Sequence, residues 1–202
     1  MPTKSNIDAD ALDLTDDYAF SGTVTGAGGG AWTFISSATA SASATVELTG
    51  ISSTYDHYEV RITDVVPATD GQNLNMRTST DGGSTYESGA STYRFAVEYG
   101  QSSSEAHSDN IGTTTYARLM DTVGNAAGEG GHAVVNLAGC SGTAINKTWW
   151  VHAMYVDSSG NARGFSGIGM RDAVADIDAV QFLFQSGNIA SGTFALYGLA
   201  KS

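Results

Sequence analysis

Apolar and polar residues alternate with a period of two through much of this chain. Tyr58, Val60 and Ile62 share one face of an extended segment, while Glu59, Arg61 and Thr63 share the other, as in a strand with one face buried. Leu74 and Met76 alternate in the same way with Asn73, Asn75 and Arg77, and Tyr93, Phe95, Val97 and Tyr99 resume the alternation. Further strands are predicted at 133–137, 149–156, 180–184 and 193–199. Thr80-Asp81-Gly82-Gly83-Ser84 predicts a turn joining successive strands, because glycine takes a positive φ at low cost. Asp157-Ser158-Ser159-Gly160-Asn161 predicts a tight connection after the strand that carries Trp149 and Trp150. Residues 36–45, low in complexity, read as an exposed strand or a linker. Residues 171–178 offer the one helix candidate, short enough to be a loop instead. About seven to nine strands with turns throughout predict an all-β fold built as a two-sheet sandwich.

The first residues follow another pattern. Ile7, Leu12, Leu14, Tyr18 and Phe20 are set among acidic residues in a segment too short to bury them by itself. They are candidates for anchoring the chain to a partner. A glycine-rich connector follows, through Gly26-Ala27-Gly28-Gly29-Gly30, before Trp32 and Phe34 begin the β patterning. The expected division is an attachment segment with its connector over residues 1–30 and a β domain over 31–202.

Composition sharpens this picture. Of 202 residues, 25 are Gly and only 2 are Pro, and the abundant Ser and Thr compete for backbone hydrogen bonds that a helix would need. The chain carries 21 acidic and 9 basic residues, a formal net charge of -12. No run of Lys or Arg tracks phosphates, so nucleic acid is not an expected partner. Residues 1–17 lack the apolar stretch of a secretory signal, and nothing reaches the roughly 18 apolar residues of a spanning helix. Synthesis in a cytoplasm without membrane insertion is therefore expected. A single cysteine, Cys140, leaves no intrachain disulfide framework, and it reads as a small buried or turn residue rather than a nucleophile.

No constellation selects a catalytic site or a cofactor. Gly26 to Ala31 nominally fits a dinucleotide fingerprint, yet Trp32-Thr33-Phe34 follows where a helix should begin. His57, His107, His132 and His152 lack the short spacings of a metal site. Asp64, Asp70, Asp81, Asp109 and Asp121 read as turn formers, since no calcium loop motif contains them. Trp149 and Trp150 are adjacent, so on a strand they point to opposite faces. One belongs to the core, and the other is a candidate for contact with a glycan or a neighbouring subunit.

The stretches GISSTYDHY (50–58), LNMRTSTDGG (74–83) and SGNIASGTFALYGL (186–199) resemble the C-terminal domains of tailed-bacteriophage tail-fibre and head-fibre proteins. LTDDYAFSGTVTG (14–26) looks like the connector that precedes such domains. The resemblance implies a jelly-roll-like sandwich, a homotrimer and a place on the virion surface as a short fibre, spike or capsid decoration. Residues 1–30 would then attach to other virion proteins, capsid or tail, and the domain would face outward toward a host-surface glycan. It implies no shared catalytic motif. A glycan-degrading spike enzyme and a free carbohydrate-binding module are the alternative expectations.

Overall fold

A computed structural model describes residues 31–102 and 104–199 of the chain, with the backbone alone over 104–113. The predicted segment 1–30, with Ile7, Leu12, Leu14, Tyr18 and Phe20, lies outside the described residues. Within them the chain forms strands and no helix. The strands are β1 (Trp32–Ser43), β2 (Val46–Thr49), β3 (His57–Pro67), β4 (Gln72–Ser79), β5 (Tyr93–Gln101) and β6 (Ser104–Thr114). The second half supplies β7 (Ala117–Val123), β8 (Gly130–Ala138), β9 (Lys147–Val156), β10 (Ala162–Arg171), β11 (Ala179–Phe184) and β12 (Ile189–Leu199).

All pairs are antiparallel, and the pairing is nested. β1 lies beside β12, β2 beside β11, β3 beside β8 and β4 beside β7. The β12–β3 and β11–β4 pairs then close two sheets. This is the winding of a jelly roll. Two extra hairpins are inserted, β5–β6 before β7 and β9–β10 before β11, and both add to the same sheet. The result is an eight-stranded sheet, β1-β12-β3-β8-β9-β10-β5-β6, packed on a four-stranded sheet, β2-β11-β4-β7.

The core lies between the two sheets, where Phe182 of β11 meets Phe194 of β12 with ring centroids 5.1 Å apart. Tyr58, Val60 and Ile62 of β3 and Val135 and Leu137 of β8 point into it, as their alternation predicts. Glu59 shares the outward side with Arg61 but is nearly covered, and Arg61 Nε donates to its Oε1 at 2.7 Å. Asn75, expected outward, is fully buried between β11 and β7, and its Nδ2 donates to the Asn73 carbonyl at 3.1 Å.

Two sequence expectations change. Among the described residues the strands number twelve, because β2 is very short, β6 and β7 are poor in apolar alternation, and β10 hides its pattern behind glycines. The turn at 80–84 lies between the successive strands β4 and β5, which belong to different sheets. Gly82 and Gly83 do take positive φ, of 74° and 88°, and Asp81 accepts hydrogen bonds from the Thr85 hydroxyl and N–H at 2.6 and 2.8 Å. The helix candidate is a loop: Ile177 is buried, and its N–H donates to the Cys140 carbonyl at 2.9 Å. So short a segment gains more from that anchor than from a helix with a costly nucleus. The connection at 157–161, by contrast, is the β9–β10 hairpin.

Candidate functional site

Strand β9 alternates without interruption. Trp149, Val151, Ala153 and Tyr155 are buried, while Thr148, Trp150, His152 and Met154 face out. Trp149 is 4% exposed and meets the edge of Tyr93 at 6.1 Å, so it belongs to the core and is not a surface contact. Trp150 is 44% exposed on the outer face of the large sheet. Its indole meets the His152 imidazole at a centroid distance of 4.9 Å and 63°.

The register extends Trp150 into a row across the sheet. Phe34, Tyr197, Glu59, Asn136, Trp150, Ile168 and Ala96 stand opposite one another on β1, β12, β3, β8, β9, β10 and β5. A second row holds Arg61, Val134, His152, Ser166 and Glu98. Trp32, Phe34, Trp150, Met154 and Ile168 are large apolar residues with substantial exposure, and all five stand on these strands. The outer face of the small sheet differs. There Gln181 donates to Glu47 at 2.9 Å and Arg77 to the Thr115 carbonyl at 3.3 Å. Monomeric proteins rarely leave extended apolar patches open, which makes the outer face of the large sheet the candidate contact face.

Two hollows mark that face. One, of about 810 Å³, lies between Trp32 and Leu199 on one side and Trp150, Ile168 and Met170 on the other, with Asn136 and Ala138 among its lining. No Asp or Glu lines it. The Asn136 side-chain Nδ2 is shielded from solvent and has no hydrogen-bond partner. The second hollow, of about 870 Å³, is lined by Glu59, Arg61, Glu98, His132, His152 and Met154, among others. Its carboxylates are far apart. Glu59 and Glu98 stand on β3 and β5, four strand spacings from each other, roughly 19 Å at 4.8 Å per strand. Glycosidic cleavage by an acid pair needs about 5 to 9.5 Å.

Another carboxylate pair is structural. Asp157 is buried in the β9–β10 hairpin, where its Oδ1 accepts the N–H groups of Ser159 and Asn161, both at 2.9 Å. Its Oδ2 accepts from Arg163 Nε at 2.6 Å, and Arg163 also reaches Asp121 at 3.9 Å. Burial alone would raise the Asp157 pKa, but the bonds from Asn161, Arg163 and Ser159 outweigh it and hold the carboxyl below its ordinary value. That suits an anchored turn and not a proton donor.

The remaining candidates disperse. His57, His132 and His152 stand on different strands of the large sheet, and the side chain of His107 lies outside the described residues, as does that of Asp109. Asp64 sits in a β3 bulge at φ 53°, with its N–H donated to His132 Nδ1 at 3.2 Å. No cluster of three or more His, Cys, Asp or Glu is poised for a metal among the described residues. Cys140 is buried, and burial pushes its thiol up to about 12 despite the nearby Lys147 charge. No described helix is long and apolar enough to cross a membrane.

Sequence reasoning found Trp150 but missed Asn136, Ile168 and Trp32. Asn136 was legible as the polar position between Val135 and Leu137. Ile168 was not, because the inward positions beside it are Gly167 and Gly169, which inverts the usual apolar-inward pattern. No family model matches the chain, and no curated protein or solved structure is significantly similar to it.

Proposed function

We propose that this chain is a non-enzymatic structural protein of the surface of a tailed bacteriophage. It serves as a short fibre, spike or capsid decoration protein. Residues 1–30 attach it to capsid or tail proteins, and the jelly-roll domain is presented outward as a homotrimer for adhesion to the host surface. The observation that carries this reading is the asymmetry of the sandwich: Trp32, Phe34, Trp150, Met154 and Ile168 are exposed on one face, while the opposite face is bonded to itself through polar side chains. A domain built this way works by contact. The likeness of 50–58, 74–83 and 186–199 to fibre domains supplies the virion context, and two of those stretches enter the paired strands β3 and β12.

The glycan-degrading alternative is weakened by the wide separation of Glu59 and Glu98 and by the use of Asp157 as a turn anchor. Purified particles imaged with the protein labelled test the assignment directly, with label expected at capsid vertices or faces, or at the tail. Particles without label would overturn it. Light scattering of the purified protein is expected to give three times the 20.8 kDa chain mass, and a concentration-independent monomer would count against the trimer. Incubation with host polysaccharide is expected to release no reducing ends.

A further inference from the structure

The histidines are scattered along the chain, yet two of them meet across the β8–β9 pair. His132 stands directly opposite Met154, and Val134 stands opposite His152. His152 and Met154 are alternate residues of β9 and share its outward face with His132 of β8. The three side chains therefore form a triangle on one surface. Directly opposite residues of an antiparallel pair hold their Cβ atoms about 5 Å apart, and diagonal ones about 7 Å. Imidazole and thioether arms span such gaps. All three line the hollow of about 870 Å³.

Packing does not account for Met154. It is 70% exposed, and its partner across the β9–β10 pair is Gly164, followed by Gly100 on β5. A Cβ at either glycine would meet nothing within 4 Å, so the thioether has open space on that side and the His132 imidazole on the other. Each imidazole is held from one edge. Asp64, in the β3 bulge, donates its N–H to His132 Nδ1 at 3.2 Å, and the Trp150 indole meets the His152 ring at 4.9 Å. The surroundings favour a cation: Glu59 and Glu98 line the same hollow, the Asp64 carboxylate is exposed near His132, and the Arg61 charge is paired with Glu59.

We propose that His132, His152 and Met154 form a binding site for a soft monovalent metal ion, copper(I), on the outer face of the large sheet. Thioether sulfur selects copper(I), and imidazole is also a good copper ligand. Zinc and calcium call for fuller ligand sets, and among the described residues no cluster of three or more His, Cys, Asp or Glu supplies one. The binding nitrogen of His132 is Nε2, because Nδ1 faces Asp64. While Nδ1 accepts a hydrogen bond, Nε2 carries the ring proton. Loading moves that proton to Nδ1, where Asp64 Oδ1, 3.9 Å away, becomes its acceptor. A carboxylate behind a ligating histidine is the usual support of such sites. The inference goes beyond the virion reading and stands without it.

The test is a titration of the intact protein with copper(I) under anaerobic, reducing conditions, read by competition with chromogenic copper(I) chelators and repeated with silver(I) as a redox-silent probe. A single ion per chain is expected, held more tightly than zinc(II). Met154→Leu keeps the bulk but removes the sulfur, and His132→Gln and His152→Gln remove the imidazoles. Each of these exposed substitutions is expected to leave the melting temperature unchanged and to weaken binding roughly tenfold or more, the scale of losses around metal ligands. His57→Gln, on the same sheet but outside the triangle, is expected to bind as the parent does. Asp64→Asn, whose new side chain tolerates the positive φ there, is expected to weaken binding without changing the number of ions bound. A parent chain that yields copper(I) to the weakest chelator overturns the proposal, as does equal retention by the parent and all three ligand variants. Zinc(II) binding as tight as copper(I) that survives in Met154→Leu also overturns it, since the thioether would then have no role.

Discussion

The indole of Trp149 lies against Gly169, its partner across the β9–β10 pair, and fills the space a side chain there would need. A Cβ at 169 would collide with the indole Nε1, Cε2 and Cζ2. Trp149 is itself packed against Tyr93 and cannot retreat without disturbing the core. Gly169→Ala is therefore expected to cost about 1 to 3 kcal/mol, the usual penalty for overpacking, read as a lower midpoint in a urea melt. A midpoint equal to that of the parent would show that the two strands separate more easily than their packing implies.

The adjacent tryptophans should behave as opposites. Trp149→Ala removes a buried indole and is expected to cost roughly 3 to 5 kcal/mol. Trp150→Ala removes a half-exposed one and should move stability by only about 0.5 kcal/mol. Paired thermal melts check the contrast, and equal losses would contradict the assignment of faces.

Acid should loosen the β9–β10 hairpin through Asp157. Its folded pKa is lowered, so its contribution is fully present above the unfolded value, near pH 4. It is lost as pH falls from there through the folded value. Asp157→Asn keeps the shape but not the charge, and the variant should start less stable and lose less on acidification from about pH 5 to 3. Parallel slopes for parent and variant over that range would argue that other carboxylates govern acid sensitivity.

Cys140 should be chemically silent in the folded protein. Its thiol is buried, and burial raises its pKa to about 12, so little thiolate forms at pH 8. An aromatic disulfide reagent is expected to label it only at the rate of unfolding, and at once in denaturant. Rapid native labelling would require an opening of the 139–147 loop.

Removing residues 1–25 should leave the β domain folded, because β1 begins at Trp32, and should abolish association with particles. Burying three of Ile7, Leu12, Leu14, Tyr18 and Phe20 on a partner contributes on the order of 4 to 8 kcal/mol before ordering costs. Wild-type occupancy by the truncated protein would place the anchor in the jelly roll.

The sequence by itself determined the local character of the strongly alternating strands. Period-two alternation in Tyr58 to Ile62 and Tyr93 to Tyr99 sets which side chains share a face, since successive residues on a strand point to opposite faces. It also determined that Trp149 and Trp150 part company, though not which one is buried. Only the tertiary structure decided that, because the answer depends on which face of β9 meets the small sheet. The nested strand order was equally invisible, as pairs such as β1 with β12 join residues at opposite ends of the domain and leave no local signature. β10 escaped for a more specific reason. Its inward positions 167 and 169 are glycines accommodating Val97, Val151 and Trp149, so the space that another strand would fill with its own side chains is filled here from its neighbours, and the apolar pattern passes to the outward Ile168. The hollow beside Trp150 follows from the same cause: it is assembled from β1, β3, β5, β8, β9, β10 and β12, and sheet register alone brings those residues together.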